Sequence, residues 1–119
     1  MLTTKIVVPT NESFSGYSSP YIRNKDKSEY FIYLAKADKK LATIQAHEDV
    51  VLLQYSPDLE LQEFIIIHDV IVDIQKKLKA EVDDTKSFMG YTEAGESAFM
   101  IRNWNEWIVY IKQSMENCQ

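Results

Sequence analysis

The sequence predicts an α+β fold: an antiparallel sheet of about five or six strands with two helices packed on one face. Three observations lead there. Short runs of β-branched and aromatic residues fill the first half of the chain. A long run with apolar residues at helical spacing follows between residues 59 and 80, and a second closes the chain from residue 103. Strands and helices that segregate, rather than alternate one by one, favour antiparallel pairing.

Residues 5–9 read as a strand ended by Pro9. Residues 10–28 have loop composition, with Asn11, Ser13, Ser15, Gly16, Ser18, Ser19, Pro20 and Asn24; Tyr17, Tyr21 and Ile22 interrupt it, so part of it packs down. Residues 30–36 suit a pleated surface, and the polar residues 37–40 turn the chain. A helix across 28–41 is the alternative. Residues 41–46 alternate weakly, His47-Glu48-Asp49 turns again, and residues 50–55 form a short apolar strand.

Ser56 is a good N-cap, Pro57 suits the first helical position, and Asp58 and Glu60 favour the positive end of the dipole. From residue 59 to about 80, Leu61, Phe64, Ile65, Ile71, Val72 and Leu78 share one broad face, with Lys76, Lys77 and Lys79 at the C-terminal end. The density of β-branched residues argues for a hairpin turning at His68-Asp69 instead, but no Gly or Asn supplies that turn. Residues 87–92 and 97–102 flank Glu93-Ala94-Gly95-Glu96 as a hairpin. Asn103 then caps the last helix and Glu106 completes a capping box, with Trp104, Trp107, Ile108, Ile111 and Met115 on one face.

At 119 residues, with 45% hydrophobic and 26% charged residues, the chain reads as a single globular domain over 1–119. It has no internal repeat and no low-complexity tract. Its one cysteine, Cys118, excludes an internal disulfide and reads as a free thiol in a frayed tail. No signal peptide or membrane span is visible, since the richest apolar stretch, residues 64–74, is broken by His68, Asp69 and Asp73. The expected compartment is the reducing cytoplasm, where Asn11-Glu12-Ser13 is not glycosylated.

Chemistry-bearing patterns are sparse. His47 and His68 match no zinc spacing, and no metal or cofactor is expected. His47 reads as a turn residue, and His68 as a core histidine with a hydrogen-bond partner. There is no nucleophile elbow, no glycine-rich phosphate loop, and only ordinary adjacent acids at Glu48-Asp49 and Asp83-Asp84. Catalysis is not expected.

Charge is the informative feature. The net charge is −5, but residues 1–47 carry seven Lys or Arg against four acids, and residues 48–119 carry six against fourteen. Residues 41–75 contain no Lys or Arg and seven acids: Glu48, Asp49, Asp58, Glu60, Glu63, Asp69 and Asp73. Such a field attracts a basic partner and opposes nucleic acid, whose phosphates need basic contacts. The bland alternative is that these acids only keep the domain soluble and cap its helix. The acids from Glu48 to Asp73 are the expected contact, with Glu93 and Glu96 as a second patch and Tyr17 and Tyr21 as apolar anchors.

The first functional expectation is an acidic protein-binding inhibitor: an immunity protein that neutralises a basic, nuclease-type bacterial toxin, without nucleic-acid or membrane binding, as a monomer or dimer. The second is a chaperone. In element order and acidity, roughly residues 29–117 resemble the small acidic chaperones of type III secretion, which implies a homodimer with exposed hydrophobic grooves. The N-terminal helix usual in that family has no counterpart in the first 28 residues. The third is a small ligand-binding module or enzyme built around His68 with Asp69 or Glu63.

Overall fold

Alternation decides which way each strand faces. The computed structural model describes residues 1–14, 17–26 and 28–117. The first strand, β1 (Leu2–Val7), turns Leu2, Thr4 and Ile6 inward and leaves Lys5 outside, because successive side chains point to opposite faces of a sheet. It begins and ends earlier than the apolar content suggested, and Pro9, with no N–H for a ladder, lies beyond it.

β2 (Ile22–Asn24), β3 (Glu29–Leu34), β4 (Lys39–His47) and β5 (Val50–Tyr55) form a meander. β6 (Glu81–Asp83) pairs with the other side of β1. The order across the sheet is β2-β3-β4-β5-β1-β6, and every neighbouring pair is antiparallel. The helical alternative for residues 28–41 gives way to β3, a 3-10 turn at Ala35–Ala37 and the start of β4, with Asp38 in a left-handed conformation at the corner. The register between β3 and β4 slips by one residue, so that Ile32 faces Ala42 and Tyr33 faces Lys40. The extra residue, Leu41, is buried together with Ala42, as a bulge allows. Glu48 and Asp49 make a two-residue turn, with Glu48 left-handed.

The loop expected at 10–28 contains β2, and it packs down as expected: Phe14 and Tyr17 are buried, the Phe14 ring standing edge-on to Tyr30 at 4.8 Å. Gly16 and Ser15, and the free-thiol reading of Cys118, lie outside the described residues.

α1 (Leu61–Leu78) is one continuous helix, so no hairpin turns at His68-Asp69. It starts later than Ser56. That hydroxyl accepts the Asp58 N–H at 3.0 Å in a local turn, and Glu60 holds the N-cap position. The carboxylate of Glu63 reaches back to accept the Glu60 N–H at 2.9 Å, the N3 half of a capping box. Phe64, Ile67, Val70, Ile71, Ile74 and Leu78 are buried, whereas Ile65 and Val72 are only half-buried; the inward stripe is rotated from the one expected. It packs against Ile6, Ile32, Ile44, Val51 and Leu53, all fully buried. Thr3, Lys5, Thr43, Gln45, Leu52 and Gln54 alternate with these on the opposite sheet face, and none of them is buried.

The hairpin expected from strands at 87–92 and 97–102 closes only near its tip, where Met89 and Thr92 N–H donate to the carbonyls of Ala98 and Glu96 at 3.0 Å, and the last strand of the sheet, β6, lies ahead of it. Gly95, at φ 79°, does turn the chain, but only Tyr91 and Ser97 form a bridge. The backbone that would have continued the ladder is taken by side chains. The buried Asp84 carboxylate accepts the N–H groups of Ile101 at 2.9 Å and Arg102 at 2.6 Å, and Ser87 Oγ accepts that of Met100 at 3.2 Å. Ala98 and Met100 are thereby delivered into the core.

α2 (Trp104–Asn117) follows directly. The expected cap is not made: Asn103 Oδ1 is buried without a hydrogen-bond partner. Trp107 and Ile111 are buried, Trp104 and Ile108 half-buried, and Met115 exposed. Trp107 meets Phe64 of α1 edge-to-face at 4.5 Å, and Trp104 stacks on His68 at 3.8 Å. Among the described residues no helix is long and apolar enough to cross a membrane.

Because one oxygen of the buried Asp84 accepts both backbone donors, Asp84→Asn is expected to lower stability by about 1–2 kcal/mol in urea unfolding: the amide oxygen accepts both bonds without the charge, and the amide NH2 takes the place of the oxygen that faces Arg102 Nε. Asp58→Asn, at an exposed site, is expected to stay within about 0.5 kcal/mol.

Candidate functional site

The loop after β1 and the outer surface of α1 are far apart in sequence, yet they build one concavity. Tyr17, Ser19, Pro20 and Tyr21 from the loop and Asp69, Val70 and Asp73 from the helix line a cleft of about 280 Å³. Asp69 and Asp73 come together because a helix stacks residues four apart on one face. Tyr17 is the hinge of the arrangement. Its ring is buried against Phe14, and its hydroxyl donates to Asp73 Oδ2 at 2.6 Å. Lys77, one turn further on, places its ammonium 3.4 Å from the same oxygen and 5.6 Å from the centre of the Tyr17 ring.

These contacts set the charge states. The Tyr17 hydroxyl, followed by Lys77, holds the Asp73 carboxyl below the usual aspartate range. Burial, and then the hydrogen bond to that carboxylate, push the Tyr17 phenol well above its ordinary value. At neutral pH the site is therefore a neutral phenol beside a carboxylate. The Asp69 side chain is 69% exposed and lies 3.2 Å from His68 Nδ1. His68 itself is half-buried on Trp104 and is not among the residues lining this cleft.

The remaining expected residues are dispersed. Glu93 and Glu96 line a second cleft of about 390 Å³ with Thr92, Asn105 and Glu106. Glu106, whose spacing from Asn103 points to a capping box, lines this cleft because the loop folds over α2. Asp58 and Glu60 line a third cleft, of about 330 Å³, between the α1 connector and the apolar side of α2 at Ile111 and Met115. Glu48 and Asp49 are exposed at the tip of the β4–β5 turn, outside these clefts. Glu63 faces inward: its carboxylate lies 2.8 Å from Lys39 Nζ and also binds the Glu60 N–H, so the fold itself uses it. A fourth cleft, of about 260 Å³, opens on the uncovered sheet face and is lined by Lys5, Lys86 and Asp83 with Thr3, Leu52 and Gln54.

His47 is exposed at the end of β4. Among the described residues no three His, Cys, Asp or Glu side chains are grouped to hold a metal ion. What the first cleft can do is hold a cation: it combines two carboxylates with two aromatic rings, and none of the side chains lining it is a Lys or Arg.

Two measurements follow. Burial alone would raise the Glu63 carboxyl, but the Lys39 hydrogen bond, the Glu60 N–H and the Lys39 charge outweigh it and hold it below the usual glutamate range. A carboxyl depressed in the folded state stabilises above its unfolded pKa and loses that contribution as pH falls through the folded one. Glu63→Gln should cost about 1–2 kcal/mol in urea unfolding at pH 7, with the difference closing as the pH drops below the ordinary glutamate range. Tyr17→Phe removes the main donor to Asp73, so the Asp73 titration followed by NMR should move up towards the ordinary aspartate value.

Comparison with protein-family models, with curated proteins and with solved structures gave no match, so the functional reading rests on this geometry.

Proposed function

We propose that this protein is an inhibitor that binds a basic protein through its helical side, and that the partner is a nuclease-type bacterial toxin neutralised in the cytoplasm. One observation carries the reading. Among the described residues, three clefts built by the helices and the loops against them are lined by seven carboxylates and by no Lys or Arg, whereas a lysine-lined cleft lies on the open sheet face. Single-sign clefts focus the field and speed encounter with an oppositely charged protein. A nuclease must present cationic groups to hold its phosphates, and an acidic protein seated on those groups excludes the substrate. Tyr17 and Tyr21 add apolar contact of the kind that anchors interfaces. Glu48 and Asp49 extend the acidic field at the hairpin tip.

The test is retention of proteins from the native host's lysate on the immobilised chain, eluted with salt. A single basic protein should be held, and adding the chain at equal concentration should abolish its hydrolysis of nucleic acid. Reversal of exposed acids, Asp69→Lys with Glu96→Lys, should weaken the complex by about tenfold or more, or ~1.4 kcal/mol, and move elution to lower salt. Retention of no basic protein, or elution unchanged by the reversal, rejects the proposal.

A further inference from the structure

The first cleft has a distinctive feature: the chain has placed a cation of its own against two of its lining residues. Lys77 makes both contacts that a cationic ligand would make there, one to the Asp73 carboxylate and one over the Tyr17 ring. The pair is held weakly. The Lys77 side chain is 59% exposed and Asp73 41%, and exposed i,i+4 pairs contribute little. Asp69, one turn back, lines the same cleft, 69% exposed and 3.2 Å from His68 Nδ1, and Tyr21 contributes a second, part-exposed ring.

From this we infer that the cleft between residues 17–21 and α1 is the seat for one arginine side chain of the basic partner, which displaces Lys77, at the cleft's border, from Asp73. The inference rests on the reading of a basic protein partner. Arginine fits for geometric reasons. Its guanidinium is planar and carries five donors in a fork, so it can reach Asp69 and Asp73 together while its face lies on a tyrosine ring; a lysine ammonium is a compact point charge that satisfies one carboxylate at a time. Tyr17 is already fixed by its bond to Asp73, so binding there orders little that is loose. A volume of about 280 Å³ suits one side chain rather than a folded segment.

The experiment is a ¹⁵N NMR titration of the full chain at low salt with a hexa-arginine peptide and, separately, a hexa-lysine peptide. The arginine peptide is expected to shift residues 17–21 and 69–77 and to bind about fivefold or more tighter than the lysine peptide. Asp69→Asn should weaken it by about tenfold and Lys77→Gln should tighten it by about threefold, both at exposed positions that leave the fold intact. Equal response to the two peptides overturns the arginine seat, and an unchanged affinity in Lys77→Gln overturns the displacement. Shifts confined to residues 92–96 and 106 would reject this cleft and keep the basic-partner reading. No shift with either peptide would reject both.

Discussion

The carboxylate of Asp84 joins the last third of the chain to the sheet. It sits at the end of the edge strand β6, buried, and it gathers the backbone donors of residues 101 and 102 immediately before α2. Ser87 gathers the donor of residue 100. An ionised acceptor in that position does what a ladder of backbone bonds would otherwise do, and it does so at a corner rather than along a line. The start of α2, the approach of Trp107 to Phe64, and the loop that carries Glu93 and Glu96 over α2 are all downstream of that anchorage.

The elements whose sequence signal is periodic were legible, and those decided by a single side chain were not. The meander of β3, β4 and β5 announces itself in residues 30–55, and the rich apolar stretch of α1 and the tryptophans of α2 are helical as their spacing requires. The start of α1 was misplaced because Ser56 and Pro57 make a convincing cap in isolation, whereas the helix waits for Glu60, where Glu63 can bond its N–H and meet Lys39. The hairpin at 87–102 stops short of two full strands for a similar reason. Gly95 turns as its sequence suggests, but a residue outside the window, Asp84, captures the backbone of the second arm.

The candidate site was legible as composition and illegible as geometry. The acids and the two tyrosines stood out in the sequence, but nothing in it places Tyr17 and Tyr21 beside Asp69 and Asp73, fifty residues away. Their meeting depends on the packing of Phe14 and Tyr17, which folds an otherwise loop-like segment down onto the helix. The acids then separate by environment. Glu63 and Asp84 are absorbed by the fold, Asp73 is half engaged by Tyr17 and Lys77, Asp69 meets only the His68 ring among the described residues, and Glu93 and Glu96 line a cleft open to solvent. Equal charges in the sequence are unequal in the molecule, because a carboxylate already bonded has less left to offer a partner.

The sheet ends on both sides in strands of only three residues, β2 and β6. A long bare edge invites another molecule to add a strand, main chain to main chain, with little regard for sequence. Edges this short offer almost nothing to copy. Strands this short keep the two ends of the sheet from serving as a long template for another chain's strand.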